Sequence, residues 1–184
     1  EDKALKSLKD TKKSVVKATD KGEEGLRYYL IDGVVVQEEF KDLYLKNRDL
    51  IGWIKIDDTP IDYPVMFTPE DEEYYIHRNF DKEYSFGGCI FAGAGSDIVG
   101  PSDNIITYGH HMADSSMYHD IDKYEREDYY KEHRYITFDT LRQTGTYEVI
   151  AAFRTKIYPD NYEGFVYWNF FNSSMVGLWS WLRG

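Results

Sequence analysis

What this chain has little of narrows its chemistry early. Cysteine occurs once, at Cys89, so no disulfide can form within the chain and the redox compartment stays open. No run of about eighteen apolar residues occurs, so no segment reads as a membrane-spanning helix. A charged-then-apolar leader is also missing, and the chain opens on Glu1 rather than methionine, which fits a processed or trimmed product. Positive charge is in short supply: 22 Lys and Arg face 33 Asp and Glu, for a net charge of -11. Without a basic stripe to neutralise phosphates, nucleic acid is not an expected partner. The local exception is Lys3, Lys6, Lys9, Lys12, Lys13 and Lys17, which read as a solvated helix face. Gly93-Ala94-Gly95-Ser96 lacks the Lys-Ser/Thr ending of a phosphate loop. Asp71, Glu72 and Glu73 lack the spacing of a calcium loop and read as a solvated acidic turn.

Aromatic residues, in contrast, are abundant: 17 Tyr, 10 Phe and 4 Trp. They favour strands and line grooves that receive extended peptides. The length of 184 residues suits one domain with a substantial core. We divide the chain into an N-terminal arm or helix at 1–35, a main domain at 36–174 and an atypical tail at 175–184. Leu26 to Val36 is aromatic and β-branched around an Asp32-Gly33 turn, and Val36 to Leu50 has helical spacing that Asn47 to Asp49 would end. Ile51 to Ile56 and Ile61 to Met66 read as strands about an Asp57-to-Pro60 turn, with Pro64 at an edge or a break in pairing. Phe86 to Ala92 reads as a strand with close backbone approach at its glycines. Tyr135 to Phe138 and Thr146 to Arg154 read as a hairpin whose second strand is fairly buried on both faces. Residues 50–156 are therefore expected to form a mixed, mostly antiparallel barrel.

The stretch that carries chemistry is Asn104-Ile105-Ile106-Thr107-Tyr108-Gly109-His110-His111. A short branched and aromatic run reads as a strand, Gly109 breaks it, and His110 follows. An imidazole at the end of a rigid strand is well placed to pass a proton over a short distance. A zinc site from His110, His111 and His119 or His133 is disfavoured, because no cysteine accompanies them and adjacent histidines on extended chain point to opposite faces. Asp114 and Ser115 read as the entry to a helix bearing Met117, Ile121 and Tyr124. Cys89, on an apolar run without a neighbouring positive charge, reads as structural.

Together these residues resemble the class B sortases of Gram-positive bacteria. The resemblance runs through Gly52-Trp53-Ile54-Lys55-Ile56, Thr59, Ile61 and Tyr63-Pro64-Val65, then Tyr74-Tyr75, Asn79-Phe80 and the His110 stretch. It continues through Met117-Tyr118, Ile121, Tyr124, Tyr129-Tyr130 and His133, covering roughly 36–174. It implies a mainly β fold: a closed or partly open mixed β-barrel with N-terminal and peripheral helices. It implies a membrane-anchored cysteine transpeptidase on the extracellular face of the cell, with no cofactor and no metal. Its partners would be the sorting-signal peptide of a surface protein and an amine of peptidoglycan or of a pilin. His110 matches the catalytic histidine, and Tyr63, Phe91 and Tyr108 are expected to line the peptide site. The family's Thr-Cys pair occurs nowhere in this sequence, Cys89 lies too early to match it, and Arg183 follows no cysteine strand. No catalytic cysteine or arginine is therefore assigned, and the tail beyond Ser174 departs from the family. The expected activity of these residues alone is little or none, with exposed barrel edges prone to self-association. The other reading is a catalytically dead peptide-binding or structural module.

Overall fold

The fold was obtained as a computed structural model, which describes residues 3–19, 27–96 and 105–154. The polar, lysine-rich start forms helix α1 (Lys3–Thr19). A hairpin follows, β1 (Tyr28–Ile31) antiparallel to β2 (Val34–Gln37), turned at Asp32 and Gly33, whose φ values of 51° and 82° are left-handed. A 3-10 turn at Glu38–Phe40 leads into helix α2 (Lys41–Lys46). Asn47 ends the helix in extended conformation, and the chain enters β3 (Leu50–Lys55). The helical spacing read over 36–50 is therefore realised only in its middle.

Among the described residues the main sheet is mixed and six-stranded. It comprises β3, β4 (Asp62–Met66), β5 (Ile90–Ala92), β6 (Thr107–Tyr108), β7 (Tyr135–Thr140) and β8 (Thr146–Glu148). Their spatial order is β6-β5-β4-β3-β7-β8, and the β4–β5 pair is parallel while the others are antiparallel. It curls into a half-barrel, so the expectation of a mainly β, partly open barrel with N-terminal and peripheral helices holds. Pro64 sits opposite Trp53, and β5 pairs with β4 only from Val65 onward, so the residue without an N–H lies beyond the end of that ladder.

Alternation along the strands gives the sheet two apolar faces. Ile54, Tyr63, Val65, Ile90, Ala92, Ile136 and Phe138 join Met117, Tyr118, Tyr124 and Tyr129 on one of them. Leu50, Trp53, Met66, Cys89 and Phe91 join Phe40, Leu43, Tyr75 and Phe80 on the other. Each large side chain taken out of water contributes about 1.5–3 kcal/mol, and both faces are needed to hold so short a set of strands. The second face is covered by α2 and by the turns of residues 68–88.

Three expectations change in detail. Only Ile90–Ala92 of the 86–92 run is strand; Phe86 and Gly87 form a turn, and Gly88 has a φ of +60° that a regular strand does not tolerate. The chain does not enter a regular helix at Asp114. Its carboxylate accepts from the Ser116 N–H, and Ser115 and Met117 take left-handed φ values. The backbone therefore passes through a 3-10 segment at His119–Glu125 before helix α3 (Glu127–Glu132). The strand β8 stops at Glu148, opposite Tyr135, the first residue of β7, so the paired partner runs out there; Glu148 is exposed and Ile150 is 78% exposed. The aromatic run at 165–171 and the tail at 175–184 lie outside the described residues.

Candidate functional site

His110 emerges two residues past the end of β6, where the pairs Phe91↔Tyr108 and Ala92↔Thr107 have just tied that strand to β5. Between Tyr108 and His110 the chain crosses Ile90 and Tyr118 so closely that a Cβ on Gly109 would collide with Ile90 Cδ1 and the Tyr118 ring. The return loop is closed by the Tyr118 N–H donating to the His110 carbonyl at 2.9 Å. Tyr118 is itself buried, and its hydroxyl is 2.8 Å from Thr107 Oγ1. Burial pushes that phenol well above its ordinary pKa, so it stays neutral and acts as a fixed strut.

The His110 ring is half-buried. Its Nε2 lies 2.9 Å from the Ile76 carbonyl oxygen. The ring stacks on His77, with centroids 5.1 Å apart, and lies nearly parallel to Phe86 at 6.5 Å. The His77 Nδ1 is in turn 3.1 Å from the Phe86 carbonyl. Tyr84 and Phe86 are 78% and 67% exposed, so an open aromatic shelf adjoins the imidazole. None of these shelf residues stands out as a site residue in the sequence. Their exposure is not legible there, although the Gly87-Gly88 pair marks the turn that presents them.

His111 points the other way, as adjacent residues on extended chain must. Its Nε2 lies 2.9 Å from Asp122 Oδ2, outside hydrogen-bond geometry, so that contact is one of charge whenever the ring is protonated. Its ring centroid lies 4.5 Å from that of His119, the two rings tilted by 34°, and Arg154 Nη2 reaches Asp122 at 3.1 Å. The two neighbouring histidines thus belong to separate groups. Among the described residues no three His, Cys, Asp or Glu side chains are gathered so as to hold a metal ion.

The three residues expected at the peptide site do not come together. Phe91 and Tyr108 face each other across β5 and β6, with ring centroids 5.5 Å apart, on the side of the sheet that leads to His110. Tyr63 lies in the opposite core at 6% exposure, its hydroxyl accepting from the Met117 N–H at 2.9 Å. Cys89 is buried at 7% exposure beside Trp53, Met66, Tyr75 and Phe91, with its N–H on the Tyr75 carbonyl at 3.0 Å. Chemically, the arrangement offers two stacked imidazoles, His110 half-buried and His77 exposed, beside an exposed aromatic surface, and an imidazole so placed suits proton transfer to or from a bound peptide.

No family model matches the chain. Two curated proteins do, both named sortase B. The one from Listeria monocytogenes is 34% identical over 120 residues, covering 65% of this chain and 48% of that protein. The one from Staphylococcus aureus is 31% identical over 127 residues, covering 69% of this chain and 51% of that protein. The chain thus spans about half the length of the curated relatives it matches. Among solved structures, sortase B from B. anthracis is 30% identical with a TM-score of 0.65, over 84% of this chain and 73% of that one. A Staphylococcus aureus sortase B-substrate complex has a TM-score of 0.67 at 23% identity, over 79% of this chain and 61% of that one, and supports the fold.

Proposed function

We propose, for a chain that belongs to the sortase B family, that it carries the acid–base part of a cysteine transpeptidase acting on the sorting signals of surface proteins. The observation that supports this most directly is His110 itself: half-exposed, at the end of a strand, with its ring held by a backbone carbonyl and a stacked neighbour. In such a reaction a thiolate attacks the amide after a threonine. The imidazolium protonates the departing amine, and an arginine balances the oxyanion. The resulting thioester is then taken by an amine of peptidoglycan or of a pilin.

Of those three groups, His110 has a matching position in this sequence. Cys89 is buried in the core and is assigned a structural role. We assign the thiol to a cysteine other than Cys89 and the guanidinium to an arginine that follows it; no Thr-Cys pair occurs in these 184 residues. The site of action we propose is the extracellular face of a Gram-positive cell membrane. Strands β6 and β8, which lie at the two ends of the sheet among the described residues, are the proposed surfaces for self-association.

The test is cleavage of a quenched fluorescent sorting-signal peptide. It compares the 184-residue chain, a version extended through a Thr-Cys strand and an arginine strand, and the His110→Ala form of that version. Turnover by the extended version alone, with at least a hundredfold loss in His110→Ala, is the expected result. In the folded short chain Cys89 should resist alkylation at neutral pH. Rapid labelling of Cys89 together with turnover by the short chain would return Cys89 to the nucleophile's place. Binding without turnover in every version would favour a peptide-binding module instead.

A further inference from the structure

Resting on the reading of His110 as the proton carrier, we infer that the Ile76 carbonyl decides which nitrogen of His110 does the carrying. A carbonyl oxygen can only accept, so the 2.9 Å contact places the ring hydrogen of neutral His110 on Nε2. Nδ1 is then the bare nitrogen. When the ring is protonated, both nitrogens bear hydrogen, and the one released on return to the neutral form is that on Nδ1. The reacting proton therefore enters and leaves at Nδ1, while Nε2–H stays on Ile76. The carbonyl takes the orienting role that a carboxylate plays in other histidine sites, without adding a negative charge.

This carbonyl is held in place by its surroundings. The Tyr75 carbonyl next to it accepts the Cys89 N–H at 3.0 Å, and the His77 carbonyl accepts the Ser85 N–H at 3.1 Å. The two arms of the 75–89 segment are bridged again at Arg78 and Tyr84. Gly88 passes directly beneath, at a φ of +60°, and a Cβ there would collide with the carbonyl oxygens of both Ile76 and Tyr75. Only glycine lets the returning chain lie so close while leaving the Ile76 oxygen aimed at the imidazole. The stack of His77 and Phe86 fixes the plane of the ring without choosing a nitrogen. Ile76 and Gly88 are thus positioning residues acting through His110.

The experiment is long-range proton–nitrogen NMR of the ring of His110 in the nitrogen-15-labelled 184-residue chain without substrate, at alkaline pH. Nε2 is expected at the frequency of a protonated ring nitrogen and Nδ1 at that of a bare one. Gly88→Ala should move both toward their average, and His77→Ala should leave the assignment unchanged because the carbonyl remains. A wild-type ring protonated on Nδ1 would overturn the inference, as would a His77→Ala variant that switches nitrogens. A folded Gly88→Ala variant with an unaltered pattern would overturn the role of Gly88. Because no turnover is read, failure here is separate from failure of the transpeptidase reading, which rests on the peptide-cleavage comparison.

Discussion

At the scale of single residues, Asn47 does more for the site than its place just after a helix suggests. It is 4% exposed, and its Nδ2 donates to Tyr75 Oη at 2.8 Å and to the Phe80 carbonyl at 2.7 Å. Its Oδ1 accepts the Asp49 N–H at 3.0 Å, and Tyr75 Oη passes its own hydrogen to Asp49 Oδ2 at 2.7 Å. Burial pushes the Tyr75 phenol far above its ordinary pKa, so it remains a neutral donor. Asn47 therefore anchors both Tyr75 and Phe80, which flank the carbonyl that orients His110. Asn47→Ala is expected to cost about 2–3 kcal/mol in urea unfolding, since it leaves a buried carbonyl without its donor and vacates volume. A loss below about 0.5 kcal/mol would mean that water replaces the amide at no cost.

At the scale of elements, the docking of α1 combines apolar and charged contacts. Leu8 is 5% exposed against the second core. Lys12 Nζ lies 3.8 Å from Asp139 and 4.0 Å from Glu39, and 4.9 Å and 5.1 Å from the Phe40 and Trp53 rings. Burial nevertheless outweighs these partners and lowers the Lys12 pKa, and it raises that of Glu39 for the same reason. A lysine with a folded pKa below its unfolded one binds fewer protons when folded, across the interval between the two. Stability therefore rises with pH through that interval, toward the ordinary lysine value of about 10.4. The difference in unfolding free energy between the wild type and Lys12→Met should shift in favour of the wild type as pH is raised from neutral to alkaline. A constant difference would show that Lys12 keeps its charge at no cost of burial.

At the scale of the whole molecule, strand order sets the hierarchy of local stability. Strands β3 and β4 lie at the centre, and β3 pairs along most of its length with both β4 and β7. At the ends of the sheet among the described residues lie β6, with two residues, and β8, with three. Amide hydrogen exchange should therefore be slowest in β3 and β4, and faster in β6 and β8. Should copies associate through a sheet edge, protection of that edge alone should rise with protein concentration. Equal protection in all six strands would contradict the hierarchy, and edge protection that ignores concentration would contradict edge association. His110 sits just beyond one of these short strands, so its backbone owes its position to Tyr118 and Tyr63 as much as to the ladder.

Local pattern was enough for the elements that need no distant partner to be recognised. The Asp32-Gly33 hairpin, the Ile51–Ile56 and Ile61–Met66 strands and the turn between them follow from β-branched runs and turn chemistry. The opposite directions of His110 and His111 follow from the period of extended chain, and the burial of Cys89 follows from its apolar neighbours. Tertiary packing decided the rest. Where Gly88 runs beneath two carbonyls, the backbone must leave strand geometry, and no local propensity records that approach. The start of its partner β7 at Tyr135, opposite Glu148, limits β8 to three residues despite an apolar pattern that continues past it. The side of the sheet taken by Tyr63, and the nitrogen of His110 that faces Ile76, depend on contacts made 54 and 34 residues away along the chain. Register across a sheet and the aim of a single carbonyl are properties of the folded neighbourhood, because no residue can fix them without the segment it packs against.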